Sequence, residues 1–86
     1  TEGKRIRLKV RFFNWAGHHL FETPLSEDQV LVESNEGELE VDATVKDSAQ
    51  VRWWLLGFGD GVEVLEPLSL REEFATICRR MVGRYW

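Results

Sequence analysis

Hydrophobic and polar residues alternate strictly from Arg5 to Phe12, in the segment RIRLKVRF. A period of two residues predicts a β-strand with one buried face and one open face. The apolar members of the alternation are Ile6, Leu8, Val10 and Phe12. The polar members form a basic row, which consists of Arg5, Arg7, Lys9 and Arg11. The pattern therefore predicts a strand that is buried on one side only.

Three further strands follow from the same kind of pattern. Gln29 to Glu33 is a short apolar segment, Glu38 to Lys46 alternates again, and Val62 to Glu66 ends at Pro67. Ser34 to Gly37 is rich in turn-forming residues, and it therefore predicts a hairpin between the second and third strands.

Two helices are predicted between these strands. Asn14 is placed to cap a short helix that ends at Thr23-Pro24, because the residue before a proline is pushed out of helical geometry. Asp47 or Ser48 begins the next helix, and Asp47 and Gln50 have the spacing of a capping box.

A last helix follows Pro67 and has the clearest start signal, since Ser69 and Glu72 have capping-box spacing. Apolar residues recur along it at helical spacing: Leu70, Phe74, Ile77, Cys78, Met81 and Tyr85. We therefore expect Cys78 to be a buried small hydrophobic residue. Trp53 and Trp54 of the preceding helix are both expected to be buried, because a small domain needs large aromatic side chains in its core.

The resulting order is β-α-β-β-α-β with an additional C-terminal helix. It predicts an α+β, ferredoxin-like fold, in which a four-stranded antiparallel sheet carries helices on one face. In this plan the first and third strands are central, and the second and fourth form the edges. With 86 residues and no evident linker, the chain is expected to be a single domain, residues 1–86. It begins at Thr1 without an initiator methionine, so we expect a fragment of a larger protein.

Charge and composition narrow the classes of function. The net charge of −4 at pH 7 disfavours general nucleic-acid binding, which depends on an excess of Lys and Arg. With a single cysteine, no secretory leader and no apolar run of membrane-spanning length, the chain is expected in the cytoplasm and off the membrane. His18 and His19 are interpreted as a surface pair, because no further ligands lie near them at metal-binding spacing. The sequence shows no nucleophile with a base and no phosphate loop, so no enzymatic activity, cofactor or metal is predicted.

The segment from Val51 to Arg71 resembles the signature of the WCX domain. The residues that match this signature are Trp54, Leu55, Leu56, Phe58, Gly59, Val62, Val64, Leu65, Pro67, Leu70 and Arg71. The upstream half of the chain also resembles the WCX domain, but the match is weaker there. WCX domains lie at the C-terminal end of bacterial transcriptional regulators that contain a helix-turn-helix domain and a WYL domain. The resemblance thus implies these two partner domains in the same polypeptide and a homodimer of the full-length protein.

The resemblance also implies a module for effector sensing and dimerisation. The effector would be single-stranded nucleic acid or a small molecule. Our candidate ligand-binding residues are polar, and most belong to the basic row: Arg5, Arg7, Lys9, Arg11, Gln29 and Arg71.

Two alternatives stay open at this point. The basic row binds phosphate, or it pairs across the sheet with carboxylates of neighbouring strands, namely Glu38, Glu40, Asp42 and Glu63. Cross-strand pairing is the interpretation favoured by the phase of the acidic residues. The second alternative concerns function: a stand-alone ACT-like domain, also ferredoxin-like, would bind a small molecule.

Overall fold

A computed structural model describes residues 4–86, so Thr1 to Gly3 of the predicted domain lie outside the described residues. Its elements in chain order are β1 (Arg5–Phe12), a first 3₁₀ turn (His18–Phe21), β2 (Val30–Glu33), β3 (Leu39–Lys46), α1 (Ala49–Leu56), a second 3₁₀ turn (Gly59–Gly61), β4 (Val62–Glu66) and α2 (Leu68–Tyr85). The strands form one antiparallel sheet in the order β2-β3-β1-β4. The predicted four-stranded antiparallel sheet is confirmed, with β1 and β3 at its centre. No helix in this part of the chain is long and apolar enough to cross a membrane.

The hydrophobic core lies against one face of β1. Leu8, Val10 and Phe12 have no exposed surface, as the alternation predicted. The other buried hydrophobic residues come from the first 3₁₀ turn, β3, β4 and the two helices: Leu20, Leu39, Val41, Ala43, Leu55, Val64 and Leu70. Because both neighbouring strands and both helices contribute, β1 is the element around which the core is built.

Aromatic rings pack against one another in the part of the core next to the end of β1. Phe12 meets Phe58 edge-on, with the ring centroids 5.0 Å apart, and Trp54 edge-on at 6.1 Å. Such edge-to-face pairs add stability beyond the burial of their surface. Trp53 is 68% exposed, so the prediction that both tryptophans are buried is wrong for this residue. Adjacent helical side chains point about 100° apart, and only the direction of Trp54 leads to Phe12.

The predicted helix after β1 does not form, and a 3₁₀ turn takes its place. Asn14 and Trp15 adopt left-handed backbone conformations, with φ of 56° and 66°. An N-cap residue needs an extended backbone, so Asn14 cannot cap a helix here. The backbone N–H of Trp15 instead donates to the carbonyl of Gly37 in the β2–β3 hairpin at 2.9 Å. Contact with the hairpin therefore overrides the local helix signal.

Gly17 fixes the path of the chain after this turn. A Cβ atom at this position would lie 2.5 Å from the ring of Phe12, which is closer than real Cβ atoms come. The glycine thus lets the loop pass directly over the buried ring, and Leu20 then joins the core.

The two helices begin differently from each other. Ser48 caps α1, since its hydroxyl accepts a hydrogen bond from the N–H of Val51 at 3.3 Å. At α2 the predicted capping box of Ser69 and Glu72 is wrong, because the helix already begins at Leu68 and Pro67 occupies the cap position without a side-chain hydrogen bond.

The second half of α2 has no cover within the described residues. Leu70 is buried and Phe74 is half-buried, but every residue after Ile77 is exposed. Cys78 is exposed too, so the prediction of a buried cysteine is wrong. Helical periodicity marks which residues share a face, but it carries no information on whether another element reaches that face.

The close approach at Gly17 generates a stability prediction. Gly17→Ala should lower the free energy of unfolding by about 1–3 kcal/mol, the usual cost of overpacking. Gly83→Ala is the matched control, because a Cβ atom at Gly83 meets nothing within 4 Å, and alanine favours a helix by up to about 1 kcal/mol. Urea unfolding of both variants measures the difference, and equal stability of the Gly17→Ala variant and the wild type would contradict the packing.

Candidate functional site

The basic row lies on the open face of the sheet, where Arg7 is held by two carboxylates. Its guanidinium donates to Asp42 at 2.6 Å and to Asp28 at 2.7 Å. Asp28 also accepts hydrogen bonds from the hydroxyls of Ser26 and Thr44 and from the backbone N–H of Thr44, at 2.5, 2.6 and 3.0 Å. These hydrogen bonds, with that of Ser26 first, hold the pKa of Asp28 well below its ordinary value.

Glu40 lies between Lys9 and Arg11, two further charges of the row. Arg11 donates to it at 2.8 Å, and the Lys9 ammonium lies 4.0 Å from it. The hydrogen bond from Arg11 lowers the pKa of Glu40 and raises that of Arg11. The Nε atom of Arg11 is buried and has no hydrogen-bond partner among the described residues. On this side of the row, two cations therefore share one carboxylate.

Cross-strand pairing of the basic row is confirmed for Glu40 and Asp42 of β3. The other two predicted carboxylates have different partners. Glu38 accepts a hydrogen bond from Asn35 at 3.3 Å, and Glu63 accepts one from Arg71 at 2.9 Å. The basic row pairs instead with Asp28, which contacts Arg7. Asp28 belongs to the loop before β2, where the sequence shows no strand periodicity.

Gln29 lies outside this row, and its side chain stabilises a loop through two hydrogen bonds to the backbone. Its side-chain carbonyl accepts from the N–H of Leu25 at 2.9 Å, and its amide donates to the carbonyl of Leu20 at 3.1 Å. Both ends of the amide are thus used within the segment that connects the first 3₁₀ turn to β2.

Arg71 lies at the opposite edge of the sheet, at the start of α2. It donates to the Val64 carbonyl of edge strand β4 at 2.8 Å and to Glu63 at 2.9 Å. A free strand edge is a template for unwanted pairing, and the guanidinium occupies part of this one. The six predicted residues therefore lie in three places: Arg5, Arg7, Lys9 and Arg11 on the open face, Gln29 in a loop, and Arg71 at the β4 edge.

A groove of about 480 Å³, which the sequence did not predict, runs between α2 and β4. Its walls are mainly apolar, and Asp60, Glu63 and Arg71 are its charged residues. The apolar residues that α2 contributes are Phe74, Ala75, Cys78, Met81 and Val82. The helical period of these residues was visible in the sequence, but the missing cover that turns them into a groove was not.

An aromatic cluster forms a second surface beside the hairpin. The ring of His18 lies 4.6 Å from that of Trp15 and 5.8 Å from that of Phe21, measured between centroids. Trp15 and Phe21 are each more than half exposed, and His18 forms a 2.9 Å contact with the Glu33 carboxylate. His19 faces away and stacks on Phe58. Across residues 4–86, no three His, Cys, Asp or Glu side chains converge to hold a metal ion.

The fold and these surfaces can be compared with known proteins. A family model of the WCX domain matches residues 4–82. The chain belongs to the WCX family. The search of curated proteins found no match. In this WCX domain the signature residues are largely structural, since Leu55, Val64 and Leu70 are buried and Arg71 binds the edge of β4.

The ion pairs of the open face generate a prediction on pH. The pKa values of Asp28 and Glu40 are lowered by folding, so the stability they contribute is present above their ordinary values, 3.8 and 4.5, and is lost as pH falls through the folded pKa. The free energy of unfolding should therefore decrease as the pH falls below about 4. In Asp28→Asn this decrease should be shallower, because the variant takes up one proton fewer on unfolding. Urea unfolding between pH 5 and pH 2 measures the slope, and a variant with the wild-type slope would contradict the assignment.

Proposed function

We propose that this WCX domain is the C-terminal regulatory module of a bacterial transcriptional regulator that also contains a WYL and a helix-turn-helix domain. The observation that carries the proposal is the family match over residues 4–82. In this proposal DNA binding belongs to the helix-turn-helix domain, while the WCX domain is non-enzymatic, acts in the cytoplasm without a cofactor, and contributes to a ligand site and to contacts between subunits.

We also assign the fold to the ferredoxin-like plan. The strand order β2-β3-β1-β4 supports this assignment, because that plan places the first and third strands at the centre. The crossover between β1 and β2 departs from the plan, since it contains a 3₁₀ turn where a helix is usual.

The open face of the sheet is our candidate wall of the ligand site. Arg11 and Lys9 share one carboxylate, Glu40, and Lys9 is held only loosely at 4.0 Å from it. An anionic ligand such as single-stranded nucleic acid can bind these two cations and compete with Glu40 for Arg11. A ligand that replaces carboxylate contacts in one state of the regulator and not in the other would shift the balance between the two states.

The groove beside α2 supports the alternative function, an ACT-like domain that binds a small molecule. A volume of about 480 Å³ is in the range of small-molecule sites, and Arg71 and Glu63 supply polar groups at its wall. In that case an isolated domain should be stabilised against heat by a metabolite, whereas an open-face site requires no such effect.

The experiment that tests the proposal is a titration of the full-length regulator with short single-stranded oligonucleotides at several salt concentrations. In Arg7→Gln/Arg11→Gln, affinity should fall, and the salt slope should decrease by about one for each phosphate that the variant no longer binds. Lys4→Gln is the control, because it removes one positive charge from an exposed position outside both the basic row and α2, and it should leave the slope unchanged.

Two results would contradict this assignment. Unchanged affinity and salt slope in Arg7→Gln/Arg11→Gln would exclude the open face as the ligand wall. A thermal shift of the isolated domain with a metabolite, together with no oligonucleotide binding by the full-length protein, would favour the ACT-like alternative.

A further inference from the structure

The apolar stripe of α2 continues beyond the body of the domain. Its members, in chain order, are Phe74, Ala75, Cys78, Met81, Val82 and Tyr85. Met81 and Val82 are half or more exposed, and Tyr85 is 86% exposed. The stripe therefore begins in the groove and ends in solvent within the described part of the chain. An exposed apolar surface of this length, on one face of one helix, is typical of a contact surface.

The stripe is symmetric about its own centre. At about 100° per residue, all its members lie within about 60° of Cys78 around the helix axis. Phe74 and Val82 are equally far from Cys78 along the chain, and so are Ala75 and Met81. Such a stripe can meet a second copy of itself in the antiparallel direction with apolar residues opposite each other from Phe74 to Val82.

We propose that α2 binds α2 of a second copy of this chain, antiparallel, with Cys78 at the two-fold axis. The inference rests on the proposed role in contacts between subunits, for which it names the surface and the register. Spacings of three and four residues along the stripe match the seam by which two helices pack at a small crossing angle. Phe74 then contacts Val82 of the second copy, and Ala75 contacts its Met81.

One charged residue on the same face fits this register. Arg71 and Tyr85 are equidistant from Cys78 along the chain, and each lies about 20° from it around the helix axis. Antiparallel pairing brings Arg71, which lies in the groove, towards the second copy's Tyr85, where a cation–π contact can form. A parallel pair would instead place the two Arg71 side chains at the same height.

The overall charge distribution also favours a second copy as the occupant. Residues 79–86 carry three arginines and no acidic residue, so their charge is +3, and the rest of the chain carries −7 because the total is −4. The end of α2 is thus a basic apolar arm on an acidic body. In the antiparallel pair each arm extends towards the acidic body of the other copy, where Asp60 and Glu63 line the groove.

Cys78 allows this arrangement to be tested by disulfide cross-linking. Helices that pack at an interaxial distance of about 8–10 Å, each with a Cα radius of about 2.3 Å, bring two facing Cα atoms to roughly 3.4–5.4 Å. A disulfide needs about 4.4–6.8 Å, so two Cys78 residues at the axis lie within reach of each other. Because Cys78 is the only cysteine, a cross-linked dimer can form only through this residue.

The test is oxidation of the purified chain with diamide, which takes up the two protons and two electrons that the thiols lose. We expect a disulfide-linked dimer that appears at micromolar concentration and is absent in 6 M guanidinium, a standard denaturing condition. Cys78→Ser/Thr76→Cys is the matched control, because Thr76 is exposed on the opposite face of the same helix. This variant should form no disulfide-linked dimer after oxidation, although its non-covalent dimer should persist.

Direction and register are tested by mixing two variants in the Cys78→Ser background. Ala75→Cys mixed with Met81→Cys should give a heterodimer, and each variant alone should cross-link little. Efficient cross-linking of Ala75→Cys with itself would show a parallel pair and would overturn the register. Val82→Glu should weaken the unoxidised dimer by about tenfold or more, because it places a charge in the apolar seam.

Two outcomes separate a failure of this inference from a failure of the proposed function. A dimer seen by sedimentation without cross-linking at Cys78 would overturn the α2 surface and leave the regulatory role intact. A chain that stays monomeric would also overturn it, and in that case the oligonucleotide titration of the full-length protein still decides whether the regulatory assignment stands.

Discussion

Burial of one face of β1 is the constraint on which the other features of the domain depend. Leu8, Val10 and Phe12 have no exposed surface, and every other element packs on them or on the strands beside them. The strict alternation of β1 forces its charged residues onto the opposite face, where Arg7 and Arg11 bind carboxylates of the neighbouring strand and loop. At the end of the strand, the ring of Phe12 admits only glycine at position 17, and this close contact determines how the chain continues.

The features that follow from local periodicity could be predicted from the sequence. Strand β4 has the predicted bounds, β2 and β3 each begin one residue later than expected, and the pairing of the basic row with Glu40 and Asp42 follows from the phase of the two strands. The features that depend on distant contacts could not be predicted. The sequence predicts Asn14 as a helix cap, but the backbone N–H of the next residue, Trp15, donates a hydrogen bond to the hairpin instead. Asp28 binds Arg7 from a loop that has no periodic pattern. Cys78 belongs to the predicted apolar stripe of α2. It is exposed because no other element of the described chain packs on that part of the helix.

The two faces of the domain suit different roles. The open face is polar, and most of its cations already have carboxylate partners, so a ligand there must compete with contacts that exist in the free protein. The far half of α2 carries an apolar stripe that no described residue covers, so a partner there gains contacts at little cost. In the proposed function, effector binding and subunit contact therefore belong to separate surfaces. Within the body of the domain, Arg52 joins α1 to α2 through Glu73 and to the end of β3 through Asp47.

This division between a closed core and an uncovered helix is tested most directly by amide hydrogen exchange at two protein concentrations. The amides of β1 and β3 should be protected at both concentrations, since their hydrogen bonds lie at the centre of the sheet. The amides of residues 79–85 should exchange rapidly in dilute protein and slow down in concentrated protein, as α2 becomes covered by a second copy. Rapid exchange in α2 at both concentrations, with slowing confined to β2 or to the open face, would contradict the account.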